Sequence, residues 1–101
     1  MAEIVWTQSA LNKLDEIAEY IAVANLIAAK KLVQTVFSKI ERLEVLEVHP
    51  ESGKVPLEIP TLNYRELVIK PCRVFYKIDG NKVFILHVMR QEQDLRRFLL
   101  I

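Results

Sequence analysis

The sequence predicts an α+β domain: an N-terminal strand, an αα-hairpin, and then a three-stranded antiparallel sheet. Three observations carry this. Apolar residues recur at three- and four-residue spacing through the first half of the chain. In the second half they alternate, or run continuously in short stretches bounded by turn residues. Between the halves, "HPESGKVPLEIPTLN" holds three of the four prolines and one of the two glycines. Helices followed by strands form the pattern of an antiparallel sheet with helices gathered on one face.

The opening "EIVW" reads as a short strand with Ile4 and Trp6 on one face. Thr7 or Ser9 then stands where a hydroxyl can accept from the free N–H groups of a first helical turn. Leu11, Leu14, Ile17, Ala18 and Ile21 form one apolar stripe, with Lys13, Asp15, Glu16 and Glu19 opposite. A second stripe follows in Ala29, Leu32, Val33, Val36, Phe37, Ile40 and Leu43. One unbroken helix over both stripes would be about 60 Å long, too long for a domain of this size. Asn25 is the one good breaker, so the prediction is two helices, over about 9–24 and 26–48, joined by a tight turn. Residues 49–63 should be extended and irregular, because proline fixes φ and removes a donor.

"YRELVI" alternates, with Tyr64, Glu66 and Val68 on one face and Arg65, Leu67 and Ile69 on the other. "RVFYKI" and "KVFILHVM" flank "DGN" and read as a β-hairpin. The last strand is apolar on both faces apart from His87, as befits a central strand covered by the helices on one side and by a partner on the other. The expected sheet is antiparallel with three strands, or four if "EIVW" joins it. Its core should bring Leu14, Ile17, Ile21, Val33, Phe37 and Ile40 against Leu67, Val74, Tyr76 and Ile85.

At 101 residues there is room for a single domain, 1–101, and one core. A content of 51% hydrophobic and 27% charged residues is that of a packed domain and excludes a disordered or collagen-like chain. The net charge is +1, but the first 53 residues are acidic by about 3 charges and the rest basic by about 4. A basic end hints at an anionic partner, or at an acidic protein that covers it. The single cysteine, Cys72, allows no internal disulfide, which suits a reducing cytoplasm. The start "MAEIVWTQSA" lacks the form of a signal peptide, and the longest apolar stretch, "IAVANLIAA", is half the length of a membrane span.

Two histidines 38 positions apart and one cysteine make no familiar ligand set, so neither metal nor cofactor is expected. Gly53 and Gly80 form no phosphate-cradling loop, and no nucleophile motif occurs. The remaining polar signal is arginine. Arg65, Arg73 and Arg90 fall at or near strand ends, and Arg96 and Arg97 follow in the tail. A guanidinium suits phosphates and carboxylates. Two readings stand side by side: a docking surface, or a solvated rim with some arginines paired to Glu66, Glu92 or Asp94. Leu95, Phe98 and Leu99 share helical spacing ahead of Leu100 and Ile101; such an apolar tail must tuck onto the sheet or be covered by a partner.

In order along the chain, the W-T-x-x-A start, Y-I before an Asn turn, P-x-x-G, "YREL" and "CRVFY" leading into the hairpin resemble the RelE/ParE superfamily of type II toxins. The resemblance spans nearly the whole chain. It implies a compact toxin made beside a small antitoxin whose disordered arm folds onto it. RelE-like members cut mRNA on the ribosome with a basic cluster on the sheet; ParE-like members, among them plasmid-stabilisation toxins, poison DNA gyrase and lack that cluster. Arg73 matches the arginine of the family's Y-R-[LIV]-x-Y strand, and Arg65 falls on one basic position of the strand before it. Leu67 stands where a second basic residue is usual. Where many members read V-x-H-x-R-R, this chain has "VMRQEQD", with Glu92 and Gln93 in the places of arginines. An acid there opposes the negative charge that develops in phosphate cleavage. The tail's one aromatic is Phe98 where the family carries a tyrosine, and Leu26 replaces a proline that often opens the second helix.

The resemblance therefore implies a ParE-like toxin without catalytic residues, docking on gyrase through Arg65, Arg73, Arg90, Arg96 and Arg97. Leu95, Phe98 and Leu99 would be covered by the cognate antitoxin, in a hetero-oligomer, or by a second toxin chain. The alternative is a RelE-like mRNA endoribonuclease. A third reading is a degenerate toxin kept for regulation of its own operon.

Overall fold

The computed structural model describes residues 3–42 and 64–91. Its elements run β1 (Glu3–Trp6), α1 (Gln8–Ala24), α2 (Leu26–Glu41), β2 (Arg65–Ile69), β3 (Cys72–Asp79) and β4 (Lys82–Arg90). The order is the one the sequence predicts. The second helix is described to Glu41; its predicted extension to 48, the irregular segment 49–63 and the tail from 92 lie outside the described residues.

Two side chains set the hairpin's boundaries. Thr7 Oγ1 accepts from the Ala10 N–H at 3.2 Å and caps α1. The same hydroxyl donates to the carbonyl of Ile85 at 2.7 Å, which ties the helix start to β4. Asn25 ends α1 by donating its N–H to Ile21 O and begins α2 by accepting from Ala28 N–H at 3.0 Å. One extended residue thus joins the helices. No proline is needed at Leu26, because the Asn25 amide oxygen satisfies one of the orphan donors of the new first turn.

The sheet order is β1-β4-β3-β2. β2, β3 and β4 pair antiparallel, as expected, whereas β1 lies parallel to β4, Ile4 opposite Val83 and Trp6 opposite Ile85. The sheet is therefore mixed. A parallel neighbour requires a crossover connection, and the αα-hairpin with the two later strands supplies it. Gly80, with φ of 62°, stands in the two-residue turn between β3 and β4, a left-handed position that favours glycine.

Ala10, Leu14 and Ile17 of α1 and Leu32, Val36 and Ile40 of α2 pack on Val74, Tyr76, Val83, Ile85 and Val88. Ile21, Phe37 and Leu67 border this core half-buried, and Trp6 meets Phe37 with ring centroids 4.9 Å apart. Val33 departs from the expected core. It lies on the outer side of the helix pair, where it lines a groove with Ala18 and Ala29.

A bulge explains the two-faced apolar pattern of β4. Phe75 pairs with His87 and Tyr76 with Ile85, which leaves Leu86 as the extra residue. The extra residue switches the alternation, so Val83, Ile85 and Val88 all reach the helix-side core. His87 and Met89 take the other face, alongside Phe75 and Arg73. Phe75 and Met89 are fully buried there within the single chain, so their burial does not require the partner that the sequence suggested.

Candidate functional site

Cross-strand partners share a face of a sheet, so the pairing register assigns each described arginine to a side. Arg65 pairs with Tyr76, and Arg90 pairs with Cys72; both partners belong to the helix-side core. Arg73 pairs with Val68 and Met89, on the opposite face. Arg65 and Arg90 are two strands apart and four residues apart along them, a separation of more than about 10 Å at the usual strand rise and spacing. The three arginines do not converge. Arg96 and Arg97, and the apolar tail residues Leu95, Phe98 and Leu99, lie outside the described residues.

Arg73 is an interior residue. Its Nε donates to Glu66 Oε2 at 2.9 Å, and its guanidinium carbon sits 4.9 Å from the centre of the Phe75 ring. Only 12% of the arginine side chain and 9% of the glutamate side chain are exposed. The β2–β3 turn brings the two together by placing Glu66 opposite Phe75 and Val68 opposite Arg73, which makes Glu66 and Arg73 diagonal neighbours on one face.

Arg90 is placed differently. It ends β4, half-buried, with its guanidinium carbon 5.6 Å from the Tyr20 ring centre. Tyr20 is 70% exposed on α1, so this pair presents a cation and an aromatic ring at the surface. Arginine and tyrosine are the residue types that carry most binding energy at protein interfaces.

His87 is half-buried, 6.5 Å ring to ring from Tyr64, and desolvation by burial lowers its pKa from the usual value. It lines, with Gln8, Asn12, Lys13 and Glu16 of α1, a cleft of about 510 Å³. Among the described residues no group of three or more His, Cys, Asp or Glu side chains could hold a metal ion. No described helix is long and apolar enough to cross a membrane.

One feature was missed by the sequence reading. The tip of the αα-hairpin exposes Val23 (91%), Leu26 (57%) and Ile27 (80%). Behind the tip an interhelical groove of about 390 Å³ is floored by Ala18, Ala22, Ala29 and Val33. It continues toward the start of α1 as a second hollow lined by Leu11, Asp15, Val33 and Phe37. Its signal in the sequence is the run "IAVANLIAA". An apolar run around a helix turn cannot all face one core, so part of it must be exposed.

A parallel β1 beside an antiparallel three-stranded sheet, crossed by a helical hairpin with an apolar back, defines a small α+β protein of the toxin type that the motifs resemble. Residues 4–95 match the family model of the ParE toxin of the type II toxin–antitoxin system parDE, and the chain belongs to that family. It is 32% identical over 92 residues to toxin RelE2 of Caulobacter vibrioides, covering 89% of this chain and 92% of that one. Its fold is similar to a chain of the chromosomal ParDE system from P. aeruginosa, with a TM-score of 0.75 and 26% identity over 91% of this chain and 98% of the other. A chain of the RelBE2 toxin–antitoxin complex from Mycobacterium tuberculosis shares the fold at a TM-score of 0.55 and 20% identity, covering 88% of this chain and 96% of that one.

Proposed function

We propose that this toxin acts in the cytoplasm as a binding-type poison of DNA gyrase, held in check by a cognate antitoxin, rather than as an mRNA endoribonuclease. The observation that carries the reading is the dispersal of the described arginines Arg65, Arg73 and Arg90. Stabilising a phosphate transition state needs several cations converging on one point. Arg73, the arginine that matches the family's strand motif, is instead turned into an ion pair with Glu66, while Arg65 and Arg90 lie across the sheet from it. Glu92 and Gln93, where related chains carry arginines, add no positive charge. Of the proposed docking arginines that are described, Arg90 stands beside an exposed aromatic ring, that of Tyr20.

The antitoxin has an evident place to bind. The hairpin groove is apolar along its floor and open along several helical turns, which suits the apolar face of an amphipathic segment. The toxin–antitoxin systems among the similar structures support such a partner.

The deciding experiment is a brief induction of the toxin with DNA and mRNA followed together. A gyrase poison yields double-strand breaks and an SOS response, with transcripts intact at ribosome-occupied codons. Transcripts cut in the ribosomal A site, with DNA whole, would establish the endoribonuclease instead.

A further inference from the structure

The back of the helical hairpin has two properties that together define what else can bind it. First, it carries both knobs and a hole. Val23, Leu26 and Ile27 project at the tip, while the adjoining groove is floored by the small side chains of Ala18, Ala22 and Ala29. Second, its rims are oppositely charged. The α1 rim presents the exposed acids Asp15 and Glu19, and the α2 rim presents the exposed base Lys30. Glu19 lies one turn from Val23, and Ile27 lies one turn from Lys30, so charge and apolar tip form one continuous patch.

A patch with acids on one rim and bases on the other is suited to a two-fold partner, because an isologous contact sets each surface against itself. If two hairpins meet back to back with α1 of one against α2 of the other, the acidic rim of each copy faces the basic rim of its partner. The apolar tips of the two copies then abut at one end of the pair, and the small side chains of Ala18, Ala22 and Ala29 let the helices approach closely. A mismatched register would bring acid against acid, so the charges also fix the orientation.

We propose that, when no antitoxin is bound, a second copy of this chain occupies the hairpin groove, forming a two-fold dimer in which Glu19 of each copy faces Lys30 of the other. The proposal goes beyond the gyrase reading and does not depend on it. It adds a regulatory consequence: self-association and any partner that uses the groove exclude one another.

The test is sedimentation equilibrium of the full chain, refolded free of antitoxin, from about 1 to about 100 µM, a range that spans a weak dimer. The wild type is expected to be a dimer in the upper part of that range. E19K and K30E each set like charges opposite one another twice per dimer, and each should weaken dimerisation about tenfold or more. The double variant E19K/K30E restores opposite charges and should return within about threefold of the wild type. Both positions are exposed, and far-UV circular dichroism confirms that each variant is folded. A wild type that stays monomeric to the top of the range overturns the proposal. So does a dimer unaffected by either single variant, since it would use another surface, or one that the double variant fails to recover. A monomeric chain whose groove variants lose only antitoxin binding would assign the groove to the antitoxin alone.

Discussion

Replacing Glu66 by leucine (E66L) should destabilise the chain severely, and removing Arg73 as well should rescue it. The guanidinium of Arg73 donates to Glu66 at 2.9 Å, with both side chains nearly out of solvent. Removing the carboxylate alone takes the Glu66 oxygen away from a guanidinium whose side chain is only 12% exposed, at an expected cost of about 3–5 kcal/mol. That is a large share of the roughly 5–15 kcal/mol that holds a domain of this size together. R73M alone should cost a similar amount, from the stranded carboxylate and the lost contact with Phe75. E66L/R73M removes both members of the pair, and stability should return to within about 1–2 kcal/mol of the wild type. Urea denaturation of the refolded chain gives all four values, and the double-mutant cycle gives the coupling, expected to exceed about 2 kcal/mol. A cost below about 1 kcal/mol for E66L would refute the reasoning, because the contact with Glu66 would then contribute little to holding the fold.

The same cycle separates structure from function. If Arg73 is only a packing residue, E66L/R73M should kill cells as the wild type does. A double variant that folds and is harmless would put Arg73 back on the docking or catalytic surface.

Four further outcomes are expected. R90A should weaken toxicity at equal protein level while shifting the denaturation midpoint by less than about 1 kcal/mol equivalent, because Arg90 meets the exposed Tyr20 at the surface. T7V should cost about 1–2 kcal/mol in urea unfolding, since one hydroxyl both caps α1 and holds the Ile85 carbonyl. F37A should cost about 3 kcal/mol, the low end of the range for phenylalanine truncation, because Phe37 is half-buried against Trp6; an unchanged midpoint would mean the helix face is misassigned. His87, whose pKa is lowered by burial, binds its proton less readily folded than unfolded. Stability should therefore fall as pH drops through about 6.5 toward the folded value, and H87Q should lose part of that acid sensitivity when unfolding is compared at about pH 7.5 and 5.5.

Local periodicity carried most of the fold into view. The helix stripes, the Asn25 break and the alternating strands each follow from residues within a turn or two of one another, and the structure has them where the spacing indicates. What escaped depends on residues far apart. The parallel seat of β1 against Lys82–Ile85 joins positions about eighty apart, and nothing in "EIVW" specifies its direction. The bulge at Leu86 re-aims Val88, and a run of apolar residues hides such a switch because either parity looks buried. Val33 was misplaced for a related reason: a stripe with adjacent apolar residues at 32 and 33 is wider than one core face.

The arginines show how far sequence can go on a site. Alternation in "YRELVI" already puts Arg65 and Glu66 on opposite faces, and the turn at Lys70–Pro71 sets Ile69 against Cys72. From that register alone Glu66 and Arg73 become diagonal neighbours, so the pairing was derivable once the turn was fixed. Whether the pair is buried was not, because burial depends on what lies over the face. This order of dependence bears on function. A chain can retain a family's motif arginine for reasons of packing, and what decides its use is the acid placed across from it. Here the carboxylate of Glu66 already pairs with the charge that a phosphate would need, which is why the proposed docking reading rests on arginines at the surface, such as Arg90 beside Tyr20, rather than on Arg73.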